Sequence, residues 1–100
     1  MNITRKQPVS VGKMITEEFL EPLELTQGRL AESMGVSRKT VNELCTNRRV
    51  ITADTALMLA TAFGNTAEFW LNLQQRNDIW NALNTPKRRA RINKARPVAA

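Results

Sequence analysis

Between Gly35 and Cys45 the chain reads GVSRKTVNELC, and polar side chains of defined chemistry stand among three regularly spaced apolar ones, Val36, Val41 and Leu44. At about 100° per residue, with Val41 as the buried pole, Lys39 and Glu43 point most directly outward. Thr46 lies near them, and Arg38 sits at the leading end of the same helix. A guanidinium or ammonium group donates to guanine O6 and N7, and a carboxylate accepts from the cytosine amino group. Thr40 and Asn42 fall on the two flanks, where the phosphate walls of a groove meet a seated helix. A helix side carrying these groups suits the DNA major groove, which admits a helix and displays a distinct donor and acceptor pattern for each base pair. The plainer alternative is a solvated face on which Glu43 pairs with Lys39 at i, i+4.

Such a helix needs a brace. Thr26 can cap a preceding helix, QGRLAESM, whose Leu30, Ala31 and Met34 form one apolar stripe, and Gly35 suits the left-handed position that closes it. Ser37 caps again two residues later. Two short helices joined by a tight turn containing glycine, the second of them polar, make a helix-turn-helix. Gln27 is the first residue inside the bracing helix, where its amide and the free backbone N–H groups reach a phosphate together. Arg48 and Arg49 follow the second helix and can clamp the backbone, a position that also suits the negative end of a helix.

Strand signals are weak elsewhere, and caps recur with helical periodicity, so the chain reads as all-α with five helices. Ser10 caps the first, in which Val11, Ile15 and Phe19 recur with Met14 beside them, and Pro22 stops it. Thr52 caps the fourth, with Ala56, Leu59, Ala60 and Phe63 as its stripe, Asp54 at its positive end and Gly64 closing it. The fifth, about 67–84, starts at Asn65 or Thr66, carries Glu68 in its first turn and ends before Pro86. It holds more apolar residues than one core stripe uses. Phe69, Leu73, Trp80 and Leu83 can face inward while Trp70 and Ile79 lie around the side, and Trp70, Ile79, Trp80 and Leu83 are the residues expected at a contact with a second chain. The division expected is an N-terminal arm over 1–9, a domain over 10–85 and a flexible basic tail over 86–100.

One hundred residues suffice for a single small core. Fifteen Lys and Arg against nine Asp and Glu give a net charge of +6, unevenly placed. Residues 1–85 hold nine of each sign, so Lys87, Arg88, Arg89, Arg91, Lys94 and Arg96 supply the whole surplus. A basic end on a neutral body attracts polyanions in general or simply solubilises the chain. Histidine is absent and Cys45 is the only cysteine, which argues for a reducing cytoplasm and against a disulfide, a zinc cluster or an activated nucleophile. Cys45 falls four residues after Val41 and reads as a small apolar packing group. The only carboxylate cluster, Glu17, Glu18, Glu21 and Glu24, reads as helix surface around Pro22. An enzyme, a cofactor, a small-molecule substrate and a membrane partner are therefore not expected, and no apolar run reaches the length of a membrane span.

The segment LTQGRLAESMGVSRKTVNEL resembles the Xre and phage-repressor class of helix-turn-helix proteins. The wider set EEFLEPLELT, VSRKTVNEL, RRVITADTALMLATAFGNTAEFWLNLQ and RNDIWNA resembles the HigA/VapI antitoxin family in order and spacing, from about Val11 to Ala82. The resemblance implies a five-helix, lambda-repressor-like DNA-binding fold with a longer last helix. It also implies a cytoplasmic antitoxin and autorepressor, dimeric through its later helices, that binds an inverted-repeat operator and neutralises a HigB-like toxin that cleaves messenger RNA on the ribosome. The phage-repressor pattern places base contacts at Arg38, Lys39 and Glu43, and phosphate contacts at Thr26, Gln27, Thr40 and Asn42. Ser37 and Arg48 complete the phosphate-contacting set. The family usually shows Asn-Gly before its paired arginines, whereas this chain has Thr46-Asn47, with Asn47 able to take the left-handed conformation of the glycine. A repressor without a toxin partner, or a toxin-binding module with little DNA binding, are the competing functions.

Overall fold

The computed structural model describes residues 6–99. Residues 1–5 of the expected arm, and Ala100, lie outside the described residues. All regular structure among the described residues is helical. Helix α1 spans residues 11–23 without a break, α2 is Gln27–Met34, α3 is Arg38–Cys45, α4 is Ala53–Phe63, α5 is Ala67–Asn84 and α6 is Pro86–Ile92. The sixth helix lies in the basic segment that the sequence reading leaves as a loose tail.

Five hydroxyl caps start the first five helices. Ser10 Oγ accepts from Lys13 N, Thr26 Oγ1 from Arg29 N, Ser37 Oγ from Thr40 N, Thr52 Oγ1 from Thr55 N and Thr66 Oγ1 from Phe69 N, at 3.1–3.3 Å. Each satisfies one of the amides that a helix start leaves unpaired, a contribution of about 1 kcal/mol. Gly35 and Gly64 close α2 and α4 in the left-handed region, at φ 74° and 71°.

Pro22 does not stop α1. After Val11–Lys13 the helix widens into a π-helical stretch, Met14–Leu20, in which the Glu21 amide reaches back five residues to Thr16 O, and Glu21–Leu23 then resumes α geometry. Proline is tolerated in the first turn of a helix, and the change of register gives Pro22 such a position. The same widening alters which residues face inward. Val11, Ile15 and Leu20 are buried, the last two at an interval of five positions instead of four, and Phe19 turns partly outward.

Helix α4 packs along α5, α2 packs on α3 and α4, and α1 crosses α3 and α5, while α6 follows directly on α5 and buries no residue. Their common core includes Ile15, Leu30, Val41, Leu44, Ala56, Leu59 and Trp70. Burying each larger side chain contributes about 1.5–3 kcal/mol. Trp70 corrects an expectation: far from lying at the side of α5, ready for a second chain, it is 0% exposed. Its indole packs among Phe19, Phe63 and Phe69, with ring centroids 5.3, 6.0 and 5.0 Å away, and its Nε1–H donates to Asn65 Oδ1 at 2.8 Å. The buried line of α5 is Trp70, Leu73 and Asn77, whereas Phe69, expected inside, is 38% exposed. Asn77 Nδ2 donates to Leu73 O and Val9 O, both at 2.9 Å, so a polar residue tolerates burial by satisfying its own donors.

Candidate nucleic-acid interface

Helix α3 presents the side that its sequence predicts. Val41 and Leu44 are fully buried, Cys45 is half-buried, and Arg38 and Lys39 stand exposed with no ion pair or hydrogen bond among the described residues. Burial pushes the Cys45 thiol above its ordinary pKa, opposed in part by a hydrogen bond with the Thr16 side chain, which fits a packing role.

The flanks are set in advance. Asn42 Nδ2 donates to Gln27 Oε1 at 3.2 Å, tying α3 to the first residue of α2. That bond uses the Gln27 carbonyl and leaves its NH2 group beside the open amides at the start of α2. The Ser37 and Thr40 hydroxyls lie 2.9 Å apart at the start of α3, so Gln27 with Asn42 and Ser37 with Thr40 form two local pairs, while Thr26 caps α2 through the Arg29 amide. Arg48 is exposed and free of ion pairs among the described residues.

Glu43 finds a partner, though not Lys39. Arg49 Nη2 lies 3.0 Å from Glu43 Oε1, and Glu43 is half-buried. Arg49 is therefore turned toward the reading face in the unbound chain instead of out toward a phosphate. Periodicity offers no sign of this, because Arg49 stands beyond a left-handed turn at Asn47, φ 59°. That turn also carries two unforeseen bonds: Asn47 Oδ1 accepts from Gly12 N at 2.8 Å, and Asn47 Nδ2 donates to Ser10 Oγ at 3.1 Å. Thr46, placed near the outward pair by its angle, donates its hydroxyl to Asn42 O at 2.8 Å.

Of the side chains expected at a contact with a second chain, Ile79, Trp80 and Leu83 are half-buried in this chain alone. Trp80 Nε1 is buried and has no acceptor among the described residues. Beyond them, residues 84–99 are exposed throughout, and the six cations of that segment form no ion pair among the described residues. No group of three or more His, Cys, Asp or Glu that could hold a metal occurs among the described residues, and no helix there is long and apolar enough to cross a membrane.

A helix-turn-helix family profile matches residues 17–70, which takes in α2, α3 and α4. The antitoxin HigA-1 of Vibrio cholerae is 49% identical over 94% of this chain and 89% of its own length. Two solved structures share the fold over nearly the whole of both chains. Antitoxin HigA of Pseudomonas aeruginosa, solved with the higBA promoter, has a TM-score of 0.81 and 29% identity over 93% of this chain and 99% of that one. Antitoxin GraA in complex with its operator has a TM-score of 0.84 and 32% identity over 100% and 98%. With its helix-turn-helix, its longer fifth helix and these relatives, the chain belongs to the HigA-type antitoxins of the helix-turn-helix family.

Proposed function

We propose that this chain is a cytoplasmic antitoxin and autorepressor that binds an inverted-repeat operator as a homodimer and neutralises a HigB-like toxin. The observation that carries the DNA reading is the bare Arg38 and Lys39 face of α3, flanked by the joined Gln27 and Asn42. Arg38, Lys39 and Glu43 read base edges. Thr26, Gln27, Ser37, Thr40, Asn42 and Arg48 hold the phosphates, which positions the helix without specifying sequence.

Dimerisation runs through the second half of α5. Ile79, Trp80 and Leu83 supply its apolar surface, and a second chain gives the stranded Trp80 N–H an acceptor, removing an unmet cost of about 1–3 kcal/mol. Two α3 helices then enter successive major grooves about 34–36 Å apart. The toxin partnership draws its support from the relatives named as antitoxins. Copurification of the adjacent gene product on co-expression tests it, and absence of a complex would leave a repressor without that partner.

Competition binding on the DNA upstream of the operon tests the whole reading. Preference for a duplex containing an inverted repeat with half-sites about one turn apart is the expected result. Equal affinity for a scrambled duplex overturns it. The basic end contributes a separate, sequence-blind attraction, so removal of residues 87–100 flattens the dependence of log K on log salt by about 0.9 for each phosphate no longer neutralised, with sequence preference kept. An unchanged slope places that segment off the DNA.

A further inference from the structure

We propose that Asn47 is a positioning residue for operator recognition: its side chain clasps the start of α1 and thereby sets the angle at which α3 meets the groove. The inference rests on the DNA-binding reading above. Asn47 occupies a left-handed turn immediately after α3, where its own amide donates to Leu44 O at 3.2 Å and the next amide, Arg48 N, donates to Glu43 O at 2.8 Å. Those backbone bonds close the helix, and a glycine makes them equally well. The side chain does something further. Its carbonyl takes the Gly12 amide, one of the unpaired donors at the start of α1, while its NH2 group holds the Ser10 hydroxyl that caps the same helix. One residue thus keys the end of the recognition helix to the start of another through an acceptor and a donor at once.

The two helices meet closely enough for that bond to control orientation. A Cβ added at Gly12 would collide with Cys45 O, so the last turn of α3 rests against the α1 backbone itself. The seat does not drift, because Val9 O just ahead of it accepts from the buried Asn77 of α5. Along its inner side α3 is seated on the core by Val41 and Leu44 and tied to α2 by the exposed Gln27–Asn42 bond, but the Arg38 end has its own Ser37 cap and, among the described residues, no side-chain bond to another helix. An eight-residue helix is about 12 Å long, so a tilt of about 10° at the Asn47 end displaces the Arg38 end by about 2 Å. Base-edge hydrogen bonds are confined to about 2.7–3.2 Å and do not survive such a shift, whereas the sequence-blind attraction of cations to phosphates needs no such register.

The test compares Asn47→Gly, which keeps the left-handed turn but removes the clasp, with Asn47→Asp, which keeps the acceptor for Gly12 and tolerance of positive φ. Both are titrated against the upstream operator duplex and against a scrambled duplex over a range of salt, well below their melting temperatures. Asn47→Gly is expected to weaken operator binding about tenfold, comparable to removing one base-reading side chain, with scrambled-duplex affinity and salt slope unchanged. Asn47→Asp is expected to return operator affinity to within about twofold. A full operator preference in Asn47→Gly overturns the assignment, as does an equal loss on both duplexes or an Asn47→Asp as weak as the glycine variant. A wild-type chain without operator preference sinks the DNA reading, a result distinct from all of these.

Discussion

Helices α3 and α5 handle polar residues in opposite ways. In α3 the cations stay outside, where Arg38 and Lys39 have no internal partner, while Val41, Leu44 and the half-buried Cys45 face the core. In α5 a polar residue lies inside, with Asn77 held between Leu73 O and Val9 O while the large apolar Phe69 is left partly in water. A helix built to touch something else keeps its cations uncommitted. Where a helix joins the parts of a fold, its buried amide is bonded on both sides.

That contrast fails most visibly if Trp70 behaves as a surface residue. Trp70→Ala removes a fully buried indole from a cluster with three phenylalanines and is expected to cost about 3–5 kcal/mol of stability, read as a fall in denaturant midpoint at constant m. A loss below about 1 kcal/mol would return Trp70 to the surface role that its sequence spacing suggested.

Arg38→Ala probes the other side of the comparison. It is expected to weaken operator binding by about 1–3 kcal/mol and relax one base position, while stability moves by no more than about 0.5 kcal/mol. Unchanged selectivity in a competition assay would show that the bare face does not read sequence. The smallest effect is expected for Arg49→Ala, because its bond to Glu43 joins partly exposed groups and contributes about 0–1 kcal/mol. A melting curve that shifts as much as that of Trp70→Ala would mean that the α3 face is structural after all.

What the sequence disclosed divides by distance along the chain. Caps act over three residues, so Ser10, Thr26, Ser37 and Thr52 were legible, and the fifth was narrowed to Asn65 or Thr66, of which Thr66 caps; the glycine endings and the outward side of α3 were legible too. The stripe of α5 was misread because its inward line passes through Asn77, which apolar counting skips, and because Phe69 and Trp70 are adjacent and equally suited to a core. What decided between them was the position of Phe19 and Phe63, brought in by other helices. The π-helical stretch has no such excuse of distance. It shows only as the change from a four-residue to a five-residue interval between Ile15 and Leu20, which is invisible until Phe19 is known to turn away. The bonds from Arg49 to Glu43 and from Asn47 to Ser10 and Gly12 depend on how the turn after α3 is folded, and no periodicity encodes them.

Every apolar side chain of the buried core lies at or before Leu73, and the whole net charge lies after Asn84. A cut between α5 and α6 therefore leaves the core intact and the remaining body with nine charges of each sign. Molecules with no net charge attract one another and precipitate more readily. The stretch that adds least to folding thus governs colloidal behaviour, keeping finished copies dispersed.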